Sequence, residues 1–111
     1  MAYDEDLANR IRELMADAAG VTEKRMFGGL AFLVGGHMAV AVSGQGGLMV
    51  RCDPARTDEL VAREHARPME MRGREMDGWL RVDEAGVQTV EALRPWVEIG
   101  VAHVRSLPPK G

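Results

Sequence analysis

The sequence has few of the side chains that carry covalent or metal chemistry. It contains one cysteine, Cys52, so no disulfide can form within the chain, which suits a reducing compartment. Its two serines, Ser43 and Ser106, lack the strand–turn–helix setting that aims a nucleophilic hydroxyl. The three histidines are dispersed, and no metal-binding spacing links them to the cysteine. We therefore expect no catalytic residue, no metal site and no cofactor.

Long apolar runs are also missing. The longest apolar stretch, residues 28–42, contains four glycines and a histidine and is too broken to span a bilayer. The first twenty residues carry charges throughout and have none of the features of a signal peptide. These absences predict a soluble, cytoplasmic protein without a membrane partner.

A strong excess of one charge is absent as well. Fourteen basic residues stand against seventeen acidic ones, for a net charge of −3. Five arginines fall within residues 63–81, but interleaved carboxylates leave a local excess of about one positive charge. Because non-specific nucleic-acid binding relies on several uncompensated phosphate contacts, autonomous nucleic-acid binding is not expected. Such mixed charges are typical of a solvated face.

What the sequence does contain is the pattern of one small α+β domain, which we expect to span residues 1–111. The chain has 111 residues and is 46% hydrophobic, enough for one core and too short for two. Apolar residues from Leu7 to Ala18 recur at the spacing of one helical face. Asp4 can cap this first helix, and Gly20 is predicted to end it.

The middle of the chain reads as strands. Residues 30–34 and 37–42 flank Gly35-Gly36, a two-residue hairpin signal. The glycine-rich residues 43–47 look like a phosphate loop only superficially, since they lead into a third strand, residues 48–52, and no lysine follows the glycines. A turn is the better interpretation.

The second half predicts a helix, a hairpin and a closing helix. Pro54 opens a short helix through about residue 64. Residues 69–72 and 79–82 then form a second hairpin, with 73–78 as its loop. Pro95 should interrupt the final helical pattern, giving a turn over residues 89–94 and a new helix near Pro95. The fold class is α+β, a single antiparallel sheet of about five strands in the order α-β-β-β-α-β-β-α.

The first hairpin is apolar on both of its sides. The predicted cross-strand pairs are Val34 with His37, Phe32 with Ala39, Leu30 with Ala41, Leu33 with Met38 and Ala31 with Val40. A sheet with one wet face should instead alternate apolar and polar residues. Two long helices cover one face of such a sheet, so the second face is closed by sheet twist, a second subunit or a partner. Burial of both faces within the monomer is the alternative.

Eight methionines is a high count for this length. Methionine fills irregular gaps in cores and also suits adaptable binding surfaces, and both interpretations stay open. If the second face is a protein interface, its candidate residues are Leu30, Phe32, Leu33, Met38, Val40, Met69, Met71 and Met76.

Several motifs resemble one known family, that of the TfoX N-terminal domain. They are RMFGGLAF at residues 25–32, GHM at 36–38, GLMVR at 47–51, RPM at 67–69, GREMDGW at 73–79, WV at 96–97 and SLP at 106–108. The resemblance covers nearly the whole chain. It implies a fold like that of type III secretion chaperones, with helices packed on an antiparallel sheet. It also implies a role like that of the family's regulators of competence and transcription, which usually carry a second, helical domain. It supplies no catalytic residues.

The residues and the resemblance together favour a non-enzymatic protein-interaction module, regulatory in role, whose partner is an unidentified protein or a second copy of the chain. The alternative is a small-molecule-binding domain or an enzyme with a pocket where Cys52, His37 and Trp79 converge.

Overall fold

The computed structural model describes residues 3–26, 28–71 and 73–108. Its regular elements are helix α1 (Glu5–Leu14), strands β1 (Val21–Met26), β2 (Gly29–Val34), β3 (His37–Val42) and β4 (Leu48–Arg51), helix α2 (Thr57–Val61), strands β5 (Ala66–Met71) and β6 (Arg74–Val82), and helix α3 (Val90–Arg105). Short 3₁₀ turns precede α2 and α3.

The strands form one antiparallel sheet in the order β1-β2-β3-β4-β6-β5. The predicted α+β class and antiparallel sheet are confirmed, but the described sheet has six strands and not about five. The missed strand is β1, at the edge, where four of six residues are exposed. Its sequence, VTEKRM, has too few apolar residues to show the alternation of a half-buried strand.

The first hairpin forms at Gly35-Gly36 as predicted, but most of its predicted register is wrong. Val34 and Leu33 pair with His37 and Met38 as expected. A bulge then adds one residue to β3 at Ala39, so Phe32 pairs with Val40. The next two pairs, Ala31 with Ala41 and Leu30 with Val42, are shifted in the same way. Because side chains alternate along a strand, the extra residue moves Val40 to the side opposite Met38.

The second hairpin also forms, but its predicted six-residue loop is wrong. Residues 74–78 belong to β6, and the reversal lies beside Gly73. The pairing of β5 with β6 is irregular between Pro68 and Glu70. Gly78 has φ +86° there, and its carbonyl accepts the Cys52 N–H at 2.8 Å. The glycine that suggested a turn instead permits an irregularity inside a strand.

Helix α1 begins as predicted and ends earlier. The Asp4 carboxylate accepts the N–H groups of Asp6 and Leu7 at 2.9 and 3.2 Å, which confirms it as the N-cap. The helix ends at Leu14 and not at Gly20. Gly20 has φ +74° and lies in the turn that leads into β1.

Helix α3 is continuous, so the predicted break at Pro95 is wrong. Thr89 caps it by accepting the Ala92 N–H at 3.1 Å, and Pro95 lies in its second turn. Proline there removes a single intrahelical hydrogen bond. Burial of Leu93, Trp96 and Val97 in the core favours the uninterrupted helix. The predicted helix after Pro54 is present as a 3₁₀ turn and α2, ending at Val61.

All three helices pack on one face of the sheet. We call it the covered face, and its strand residues are Leu30, Phe32, Val34, Val40, Val42, Leu48, Val50, Leu80 and Val82. These residues form one core cluster with Leu7 and Ile11 of α1, Leu60 of α2 and Leu93 of α3. Gly100 lets α3 approach the bulge closely, since a Cβ there would lie 2.5 Å from the Ala39 carbonyl oxygen. None of the described helices is long and apolar enough to cross a membrane.

The opposite face is what we call the open face. Its strand residues are Thr22, Lys24, Met26, Gly29, Ala31, Leu33, Met38, Ala41, Met49, Arg51, Arg67, Met69, Met76, Trp79 and Arg81. Apolar side chains of this face are absent from the cluster that the helices join, within the described ranges. The expectation that both sides of the hairpin are apolar, with helices over one of them, is confirmed.

Candidate binding groove on the open face

A groove of about 260 Å³ lies on the open face. Five of its lining residues are methionines from five strands: Met26, Met38, Met49, Met69 and Met76. Trp79 completes the apolar part of the lining. All six side chains are half-buried, so each still presents part of its surface to solvent. Methionine has three rotatable bonds and a polarisable sulfur, which lets such a lining adapt to different shapes.

Small residues also line the groove. Gly29, Ala41 and Ser43 line it together with the larger side chains. Gly29 is required by its neighbours, because a Cβ there would collide with the carbonyl oxygen of Val42. Ala41 is only 2% exposed, since larger side chains surround it. The groove exists because small residues in β2 and β3 lie among long side chains.

One arginine borders the groove at the turn between β3 and β4. The Arg81 Nη2 group donates to the Gly46 carbonyl at 2.9 Å and to the Ser43 hydroxyl at 3.3 Å. The same hydroxyl accepts the Gln45 N–H at 3.1 Å, and the Ser43 N–H donates to the Gly47 carbonyl. This turn confirms the prediction for residues 43–47. Its hydrogen bonds hold the guanidinium of Arg81 at the groove and leave its other N–H groups available to a ligand.

Further basic residues lie around the groove on the open face. Arg51 places its guanidinium 5.7 Å from the centre of the Trp79 ring, a cation–π contact across β4 and β6. Lys24 is exposed on β1. Within the described ranges, no carboxylate lies within 4.0 Å of Lys24, Arg51 or Arg81, whereas Arg67 pairs with Asp83 at 3.2 Å. Glu70, on the edge strand β5, lines a second cavity together with Arg67 and Arg81, so one acidic side chain also borders this surface.

The eight predicted interface residues do not all lie on the same face of the sheet. Met38, Met69 and Met76 line the groove, and Leu33 is half-buried on the open face. Phe32 and Val40 are 1% and 0% exposed on the covered face, so neither is available to an interface on the open face. Val40 was predicted on the same side as Met38, and the bulge at Ala39 moves it to the covered face.

The two remaining candidates, Leu30 and Met71, belong to neither of these groups. Leu30 is a core residue that also borders the groove. The side chain of Met71 lies outside the described part of the structure. An interface role for the candidates that reach the open face stays a prediction.

The pocket that the alternative function needs is not formed. Cys52 is 1% exposed in the core below the sheet, while Trp79 lies on the open face. His37 lies at the tip of the first hairpin, where its Nε2 bonds the Pro108 carbonyl at 2.7 Å, as expected of a capped polar residue. None of the described cavities contains more than one of these three side chains.

The environment of Cys52 disfavours thiolate chemistry. Burial raises the pKa of the thiol, and the hydrogen bond with Thr57, at 3.9 Å between Sγ and Oγ1, opposes that shift only in part. The group is therefore a protonated thiol at neutral pH and a poor nucleophile. In residues 3–26, 28–71 and 73–108, no three His, Cys, Asp or Glu side chains lie close enough to share a metal ion.

Sequence reasoning missed several residues of the groove as site residues. Met49, Ala41, Ser43 and Arg81 come from three strands and a turn, and their convergence depends on the strand order β3-β4-β6. A signal for Met49 was present, because it alternates with Leu48 and Val50, which face the core. Arg81 alternates in the same way between Leu80 and Val82.

The comparisons with known proteins agree with the motifs. The model of the family described as the TfoX N-terminal domain matches residues 13–104, which include all six strands, α2 and most of α3. No curated protein and no solved structure resembles the chain closely enough to count as a match. Since the family match extends over most of the sequence, the chain belongs to the TfoX N-terminal domain family.

Proposed function

We propose that this chain is a non-enzymatic protein-interaction module that binds its partner in the groove of the open face. The observation that carries the proposal is the gathering of five methionines and Trp79 on a face that the described helices leave uncovered. A regulatory role in transcription or competence is the finer proposal, and membership of the TfoX N-terminal domain family supports it.

The composition of the groove suits a protein partner. Methionine and tryptophan are enriched in the cores of protein interfaces, where they bury large apolar areas. Flexible methionine-rich surfaces also repack around different apolar side chains. An apolar groove bordered by a few fixed polar groups, here the Arg81 guanidinium and the Ser43 turn, combines apolar contact with orientation.

The size of the groove favours part of a protein chain over a complete small ligand. Pockets for drug-sized molecules measure about 300–1,000 Å³, and this groove holds about 260 Å³. That volume accepts one or two apolar side chains, while the rest of the partner lies over the surrounding surface. A compact apolar ligand is the second candidate, supported by the same apolar lining.

Position-specific photo-crosslinking tests the proposal. We place p-benzoylphenylalanine at Met38, in the groove, and separately at Ala102, which is exposed on α3. Each full chain is expressed in the cell of origin, and protein adducts are identified by mass. We expect adducts from position 38, reduced several-fold when Ala41→Leu fills the groove, and few from position 102. Equal labelling from both positions, or none from position 38, would contradict the proposal.

The small-ligand candidate has its own measurement. A specific ligand stabilises the folded state by mass action, so a thermal-shift screen with apolar carboxylates and other metabolites should raise the melting temperature if such a ligand occupies the groove. A shift that Ala41→Leu abolishes would favour this candidate. We expect no shift that depends on Ala41.

A further inference from the structure

From the charges around the groove, and resting on the proposed function, we propose that the partner presents an acidic amphipathic segment: apolar side chains that enter the groove, next to carboxylates that bind Arg81 and Arg51. The proposal names the chemistry of the partner and excludes a second copy of the chain as the occupant.

The open face differs in charge from the chain as a whole. The chain has a net charge of −3, yet basic residues predominate on the open face: Lys24, Arg51, Arg67 and Arg81 lie at its paired strand positions, and Glu70 of the edge strand β5 borders the last two. Lys24, Arg51 and Arg81 have no carboxylate within 4.0 Å among the described residues. Complementary potential steers association and penalises partners of like charge. An acidic partner is the complement of this face.

The two arginines are held in place beside the groove. Arg81 is held beside the groove by the Gly46 carbonyl and the Ser43 hydroxyl, both through Nη2. A guanidinium has five N–H donors, so others remain for a carboxylate. Arg51 is held over the Trp79 ring, which lines the same groove. Both cations are therefore ordered next to an apolar surface, and binding a carboxylate there requires little further ordering.

A second copy of the chain is a poor occupant of this face. Two open faces placed against each other would bring Lys24, Arg51 and Arg81 of both copies together, with more basic than acidic side chains at the contact. The sheet edges are also poor sites for pairing. The edge strand β1 exposes Thr22, Glu23, Lys24 and Arg25, and the other edge strand contains Pro68, which has no N–H to donate.

Peptide binding to the full chain tests this proposal. The probes are three fluorescein-labelled 12-residue peptides: alternating leucine and glutamate, alternating leucine and lysine, and alternating serine and glutamate. Fluorescence anisotropy at pH 7 gives each dissociation constant. We expect the leucine–glutamate peptide to bind at least tenfold more tightly than either of the others, and several-fold more weakly at 500 mM than at 50 mM salt.

Charge-reversal variants locate the site. Arg81→Glu and Arg51→Glu should each weaken binding of the leucine–glutamate peptide about tenfold, as expected for a lost charge-assisted contact. Arg94→Glu is the matched control, because it changes the net charge equally at an exposed position of α3, and it should have little effect. Circular dichroism melts check that each variant is folded. Arg81→Glu also removes the hydrogen bond to Ser43, so weaker binding in this variant has two sources, the lost charge and the altered turn. Arg51→Glu leaves that hydrogen bond in place, so weaker binding there is due to the charge.

Three outcomes would overturn the proposal. One is equal or absent binding of all three peptides, and another is preference for the leucine–lysine peptide. The third is that a 12-nucleotide single-stranded DNA binds as tightly as the acidic peptide and is lost in Arg81→Glu, which would assign the basic face to nucleic acid. Crosslinking from position 38 to a protein partner would in each case still support the proposed function, so the two proposals fail separately.

Discussion

The covered face and the open face of the sheet use the same strands and differ in how completely their side chains are buried. Phe32, Val40 and Val50 on the covered face are at most 1% exposed. Met38 and Met49 on the open face are half-buried, although each is directly next to a buried core residue in its strand. Among the residues that the structure describes, the helices therefore contact one of the two apolar faces. Substitutions on the open face are expected to cost less stability than substitutions on the covered face.

The largest expected effect comes from comparing Phe32→Ala with Met38→Ala. Removing the fully buried Phe32 ring should lower the free energy of unfolding by about 3–5 kcal/mol, from lost apolar burial and the cavity left behind. Met38→Ala should cost about 1 kcal/mol or less, because the side chain is partly solvated already. Urea denaturation followed by circular dichroism measures both. Equal losses would mean that the open face is as important for stability as the covered face.

A second prediction tests how tightly the helices pack on the covered face. In an ordinary helix, Gly→Ala raises stability by about 1 kcal/mol. Gly100→Ala should instead lower it by about 1–3 kcal/mol, because the added Cβ meets the Ala39 carbonyl oxygen and Val40. Ala102→Gly, an exposed exchange two residues away, is the control and should cost about 1 kcal/mol. A stabilised Gly100→Ala variant would show that α3 can move away from the bulge without cost.

A third prediction uses the buried thiol on the covered side of the sheet. The pKa of Cys52 is raised in the folded protein, so the folded state holds this proton more tightly than the unfolded state. Its contribution to stability is present below the ordinary thiol pKa and is lost as the pH rises above about 8.5. Chemical denaturation between pH 7 and 10 should show a steeper decline for the native sequence than for Cys52→Ala. Identical pH profiles would contradict this.

The smallest expected effect concerns an ion pair that joins α1 to the edge strand β1. Arg12 donates to both carboxylate oxygens of Glu23 at 2.8 and 2.9 Å, and these hydrogen bonds lower the pKa of Glu23. Stability from this pair is present above the ordinary glutamate pKa and is lost as the pH falls through the lowered value. Both side chains are more than a third exposed, so Glu23→Gln should cost only about 0.2–1 kcal/mol. Glu13→Gln on the exposed side of α1 is the control, and a larger loss for it than for Glu23→Gln in urea denaturation would refute the assignment.

How far the sequence predicted this structure depended on the kind of signal available. Repeating apolar residues placed α1, and a Gly-Gly pair between apolar runs placed the first hairpin, because local spacing determines both. The edge strand β1 was missed because most of its residues are exposed, so its sequence does not show the alternation of apolar and polar residues that identifies a half-buried strand. The break predicted at Pro95 was overruled by tertiary packing, which buries Leu93, Trp96 and Val97 together.

The groove was harder to predict than the fold. The methionines were noticed, but their meeting place depends on the crossover that inserts β6 between β4 and β5. Sequence spacing carries no information about that neighbour relation. Val40 was assigned to the wrong face for a related reason, since the extra residue at Ala39 is invisible until the strands are paired.

The bulge at Ala39 also makes the length of β3 matter for how the family can diverge. A relative with one residue fewer between Gly36 and Val40 would lose the bulge, but the residue corresponding to Met38 would keep its place opposite Leu33 on the open face, because regular alternation from Val40 puts it there. The change would instead fall on the covered face, where the Ala39 carbonyl lies against Gly100 of α3. A relative without the bulge is therefore released from the contact that requires glycine at position 100, while its groove residue at position 38 is retained.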